Sequence, residues 1–124
     1  SFGMRLHTEV GDLATWPIAP GAWDGIVSIF AHVPLDVRLA LHPRVVAGLK
    51  PGGVLLLEAY RPEQLGREGG GPKDDSKLMT LAQLREELAG LEFTIAREIE
   101  REVVEGRYHS GMAAVVQIVA RKKL

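Results

Sequence analysis

The groups best placed for chemistry are Glu58, Tyr60 and Arg61, which follow the apolar run Val54 to Leu57 and can ionise, hydrogen-bond or offer a π face. A strand apolar on both sides belongs inside a sheet, and in open α/β sheets ligands bind beyond the carboxyl ends of such strands. Other chemistries are set aside by residue type. The chain has no cysteine, hence no thiol nucleophile, thiolate zinc site or disulfide framework. His7, His42 and His109 have no partner at metal-ligand spacing, so no metal site is expected. Glu98, Glu100 and Glu102, interleaved with Arg97 and Arg101, read as the wet side of one strand, not as converging catalytic carboxylates. Gly69-Gly70-Gly71 precedes charged residues and does not join a strand to a helix, so it is no phosphate cradle.

The elements that must position these groups follow from periodicity and breakers. Met4 to Val10 alternates as a short strand ended by Gly11-Asp12. Leu13 to Gly21 is a loop with two prolines and apolar anchors, Trp16 and Trp23 holding it down. Trp23 to Phe30 is a buried strand that Asp24 begins in a structural role, closed by Ala31-His32-Val33-Pro34. From about Leu35 to Leu49 a helix shows Leu35, Leu39, Val46 and Leu49 on one face, with Leu41 and Val45 beside it. Pro43 predicts a kink or two short helices, and Lys50 places a cation at the negative end of the dipole. Pro51 stops the helix, while Gly52 and Gly53 are free to take positive φ before the strand from Val54, which helices should cover above and below.

Arg61 to Lys77 is a long aperiodic connection, with a lid expected over 66–75. Thr80 and Gln83 form a capping box, Met79 and Leu84 a hydrophobic staple, and Leu81, Leu84, Leu88 and Leu91 a buried stripe that Gly90 ends. From Phe93 the period becomes two, with Phe93, Ile95, Ile99 and Val103 on one side. Met112 to Ala120 is apolar enough for the sheet interior, and the short loop between these strands makes them antiparallel. The fold class is α/β: parallel strands, a C-terminal antiparallel hairpin, and helices packed on the faces.

The chain is read as one domain of 124 residues. Fifteen Lys and Arg against sixteen Asp and Glu imply no phosphate-binding surface, and Arg121-Lys122-Lys123 reads as a solvated end, so no nucleic-acid partner is expected. No apolar run approaches the roughly 20 residues that span a bilayer, and no signal peptide is visible, so the expectation is a cytoplasmic protein without a membrane partner.

Three segments together carry a family likeness: Gly11-Asp12-Leu13 followed by Trp23-Asp24-Gly25-Ile26-Val27-Ser28-Ile29-Phe30; Leu49-Lys50-Pro51-Gly52-Gly53 leading into the apolar strand; and the closing hairpin. With these the chain resembles class I S-adenosylmethionine-dependent methyltransferases, in the small-molecule branch near the tellurite-resistance enzymes, over nearly its whole length. The resemblance implies a Rossmann-like sheet whose last strand lies antiparallel between two others. It implies S-adenosylmethionine as cofactor and a small molecule as methyl acceptor. Asp12 would then accept from the adenine amino group, the alternative being a turn or helix-capping aspartate, and the Leu13 amide would reach a ring nitrogen. Ser28, Phe30, Ala31 and His32 would border the methionine part, with a Phe30 π face near the sulfonium. His32, Tyr60 and Arg61 would face the acceptor, with His32 able to take a proton; a histidine at a strand end otherwise bonds the backbone.

The likeness also implies an omission. Family members carry, ahead of this region, a strand, a Gly-x-Gly-x-Gly-type loop and a second strand with an acidic end, none of which is present here. The chain is therefore expected to correspond to the C-terminal part of the domain, with an incomplete sheet and impaired cofactor binding. Removing strands bares an apolar edge at Ile26 to Phe30, which favours a homodimer or higher oligomer. The alternative function is a non-catalytic oligomerising α/β module. Phe30 and Tyr60 are expected as neighbouring tips at one rim, with Asp12 alongside.

Overall fold

Two adjacent strand ends, at Ile29 and Tyr60, fix where a site can form, and the sheet brings them together. A computed structural model describes residues 18–67, 72, 74–105 and 109–124. The expected strand over Met4–Val10, together with Asp12, Leu13, Trp16 and half of the 66–75 loop (68–71 and 73), lies outside the described residues. In chain order the elements are β1 (Trp23–Ile29), α1 (Leu35–Gly48), β2 (Leu49–Tyr60), α2 (Leu81–Glu87), β3 (Leu91–Glu105) and β4 (His109–Lys122), with 3-10 turns at Pro62–Gln64 and Asp75–Lys77. The strand order is β1-β2-β4-β3; β1 and β2 are parallel, and β4 runs antiparallel between β2 and β3. This is the α/β sheet with a reversed final strand. No helix among the described residues is long and apolar enough to cross a membrane.

Alternation along β2 assigns the two sheet faces. Leu55, Leu57 and Ala59 point to one side, where they join Leu41 and Val45 of α1, Leu84 of α2, and Ile118 and Ala120 of β4 in the main core. Each Leu, Val or Ile side chain among these, fully buried, contributes about 1.5–3 kcal/mol. The opposite side carries Leu56, Glu58 and Tyr60. Helices therefore cover β2 on one face, and among the described residues Val27, Ile29, Leu56 and Ile95 are exposed on the other. No described strand pairs with the outer edge of β1.

Several local expectations change for physical reasons. α1 runs through Pro43 as one helix. Its buried face is Arg38, Leu41, His42, Val45 and Gly48, while Leu35 and Leu39 are exposed, so two polar residues occupy positions an apolar stripe would not mark. The cation at its C-terminus is Lys122, whose Nζ donates to the Val46 carbonyl at 3.0 Å; Lys50 instead approaches Asp24 at 3.7 Å. Pro51-Gly52-Gly53 lies within β2 as an irregularity, because Trp23 pairs with Leu49 and Gly25 with Val54. Only Gly52 has positive φ, at 82°; Gly53 is needed because a Cβ there would sit 2.8 Å from the Lys50 carbonyl. In β3 a bulge between Phe93 and Ile95 reverses the alternation, so Phe93 packs with the core and Ile95 turns to the open face. The Thr80–Gln83 capping box forms in both directions, at 3.1 and 3.0 Å.

Candidate active site

The parallel pairing of β1 and β2 sets Ile29 opposite Glu58 and delivers Phe30 beside Tyr60. Phe30 ends β1 with φ 51°, the left-handed region that a bulky side chain rarely enters. Two contacts hold it there. Its amide donates to the Glu58 carbonyl at 2.8 Å, and its ring lies 4.5 Å from that of Tyr60 with 13° between the planes. His32 closes the cluster: its ring is 5.4 Å from Tyr60 and 6.4 Å from Phe30, again nearly parallel. Nε2 of His32 accepts the Tyr60 backbone amide at 3.0 Å. That bond requires an unprotonated Nε2 and so places the proton of neutral His32 on Nδ1. Tyr60 is buried, whereas Phe30 and His32 are half-buried, so the rim presents aromatic faces at its mouth.

Arg61 follows Tyr60 but serves the hairpin. Its Nε donates to the Val115 carbonyl at 3.0 Å, Nη2 to the Ile99 carbonyl at 3.2 Å and Nη1 to Glu63 at 3.3 Å. Gln64 and Arg67 continue this latch, Gln64 accepting the Ala114 amide at 2.9 Å and Arg67 donating to the Met112 carbonyl at 3.2 Å. Ser28 and Ala31 border a cavity of about 300 Å³ on the α1 side of β1. The structure thus gathers Phe30, His32 and Tyr60 at one rim, sets Ser28 and Ala31 at the adjoining cavity, and commits Arg61 to β3 and β4. Asp12 and Leu13 lie outside the described residues.

Two polar clusters escape a reading by motif. On the open face, Glu58 forms a bidentate ion pair with Arg101, with Nε at 2.6 Å, and accepts from Gln117 at 2.7 Å. Arg101 holds the Glu58 carboxyl below its ordinary value against the opposing effect of burial, with Gln117 adding to the shift. Under α1, Arg38 grips Glu87 through Nε at 3.0 Å and Nη2 at 3.1 Å, while Nδ1 of His42 lies 2.8 Å from the same carboxylate. Burial works to raise the Glu87 carboxyl, but the hydrogen bonds from His42 and Arg38 outweigh it and lower the value. The spacing of Arg38 and His42, four apart on the face that carries Leu41 and Val45, is the sequence signal for this cluster. Among the described residues no His, Asp and Glu group could hold a metal ion.

No protein-family model matches the chain, and no curated protein matches it in sequence. Solved structures do match in fold. TehB from Haemophilus influenzae superposes with a TM-score of 0.73 at 18% identity, covering 97% of this chain and 42% of that one. An S-adenosylmethionine-dependent methyltransferase from Methanosarcina mazei gives 0.67 at 18% identity, covering 94% of this chain and 66% of its own. The [4+2]-cyclase SpnF gives 0.60 at 17% identity, covering 94% of this chain and 55% of its own. The chain therefore has the Rossmann-like fold of S-adenosylmethionine-dependent methyltransferases and spans less than two thirds of these structures' length. The cyclase shows that this fold also carries other chemistry.

Proposed function

We propose that this chain supplies the methionine-side rim of a cytoplasmic S-adenosylmethionine-dependent methyltransferase acting on a small molecule. The observation that carries the reading is the Phe30–Tyr60 stack at the carboxyl ends of two parallel strands, within a sheet of the methyltransferase type. The residues present suit that end of the cofactor: aromatic faces attract a sulfonium by about 0.5–2 kcal/mol, and Ser28 and Ala31 adjoin them at the cavity. Once bound, the cofactor supplies an electrophilic methyl group. The chain's own work is then positioning and exclusion of water. Phe30 offers the cation a π surface with the buried Tyr60 ring stacked against it, and His32 fixes Tyr60 through its backbone amide. Proton removal from the acceptor by Nε2 of His32 would first require release of that amide. Arg61 keeps the rim attached to the hairpin. Calorimetry with S-adenosylhomocysteine tests the reading: binding weaker than that of a complete domain but still saturable is expected, and the absence of binding leaves the second reading.

That second reading is a non-catalytic oligomerising module, and the outer edge of β1, unpaired among the described residues, favours it, with Val27 66% and Ile29 51% exposed. An unpaired apolar edge is a template for strand addition. The same edge supports a homodimer under either reading, so dimerisation alone does not choose between them.

A further inference from the structure

The cavity between β1 and α1 is lined by Ile18, Ile26, Leu41, Val45 and Leu57, and His42 is the one ionisable group in its wall. His42 is 3% exposed. Its Nδ1 is held by Glu87 at 2.8 Å, and Glu87 is in turn gripped at both oxygens by Arg38, which spends its remaining arm on the Leu78 carbonyl at 3.0 Å. A carboxylate oxygen only accepts, so Nδ1 of His42 carries the hydrogen of that contact. Nε2 has no hydrogen-bond partner among the described residues. No buried side-chain nitrogen or oxygen among those residues lacks a partner, so Nε2 is not sealed in; it opens on the cavity that His42 borders.

We propose that this cavity binds a small apolar molecule bearing one hydroxyl group, with Nε2 of His42 accepting the hydroxyl proton as a hydrogen bond. Apolar walls set the body of the ligand, while Nε2 of His42 and the Ser28 hydroxyl are the polar side-chain groups among the described lining that can meet its hydroxyl. A carboxylate has no donor for Nε2 and would face Glu87, while an ammonium would be buried unpaired beside Arg38, at far greater cost than a hydroxyl. A space of about 300 Å³ is at the small end of ligand pockets and suits a one-ring molecule. Glu87 and Arg38 act by holding the ring in one tautomer, as in a base oriented by a carboxylate. Ser28 and Ala31 are shared with the rim above, but the site does not depend on cofactor binding there.

The probes are p-cresol and p-xylene, which differ in the hydroxyl. Calorimetry should show both entering the wild-type protein, and the cresol-to-xylene affinity ratio should fall at least tenfold in His42→Phe, where the hydroxyl is left unpaired. Long-range ¹H–¹⁵N spectra should show the proton on Nδ1 of His42 before ligand, and a shift of Nε2 with p-cresol alone. Failure of both probes to bind overturns the proposal, as does an unchanged ratio or an unmoved Nε2. If His42→Phe does not fold, the Nε2 shift in the wild-type protein decides by itself.

Discussion

Phe30 occupies a backbone conformation that costs about 1–3 kcal/mol for a residue of its kind. Its stack on Tyr60 and its bond to the Glu58 carbonyl hold it there. A double-mutant cycle with Phe30→Ala and Tyr60→Leu should therefore give a coupling of about 0.5–1.5 kcal/mol in denaturant unfolding; additive effects would show that the rings are neighbours without being partners. Arg38 poses the opposite problem, a guanidinium 1% exposed. Glu87→Ala leaves it uncompensated and should cost about 3–5 kcal/mol, whereas Arg38→Met with Glu87→Leu should cost far less than two such losses. Denaturant midpoints of the three variants separate the cases.

Pairing between elements sets the response to acid. Glu58 and Glu87 both titrate lower in the folded protein than in the unfolded chain. Their ionised forms thus add stability that is complete above the unfolded carboxyl value of about 4.3 and is lost as pH falls through the lower folded values. Arg101→Met should remove the Glu58 share of that acid dependence while leaving the Glu87 share, measurable as a shallower loss of stability below about pH 4.3. Gly53→Ala should destabilise by about 1–3 kcal/mol, since its methyl would meet the Lys50 carbonyl at 2.8 Å. Much at this scale was legible from local order: the capping box at Thr80, the apolar run of Val54 to Leu57 and the hairpin after Phe93 all depend on neighbours a few residues away. The bulge at Phe93/Ile95 and the Lys122 cap on α1 were not, because each depends on a partner strand or helix distant in sequence. The same holds for the site. Phe30 and Tyr60 were expected side by side from strand-end logic, whereas Glu87 meets His42 only once α2 docks beside α1.

At the scale of the molecule, the described residues form a four-stranded sheet with helices on one face, and none of them pairs with the outer edge of β1. Edge strands of this kind associate unless charge or cover prevents it. Sedimentation velocity should show concentration-dependent dimerisation that Val27→Lys weakens; a monomer at every concentration would remove the edge as an interface. The fold itself is that of S-adenosylmethionine-dependent methyltransferases, and the proposed cofactor contact rests on the aromatic rim. Titration of S-adenosylhomocysteine into protein labelled in its aromatic rings, followed by NMR, tests this most directly. The rings of Phe30, His32 and Tyr60 are predicted to shift together and saturably, with the shifts lost in Phe30→Ala; rings that stay still, or a response unaltered by that substitution, would contradict the assignment.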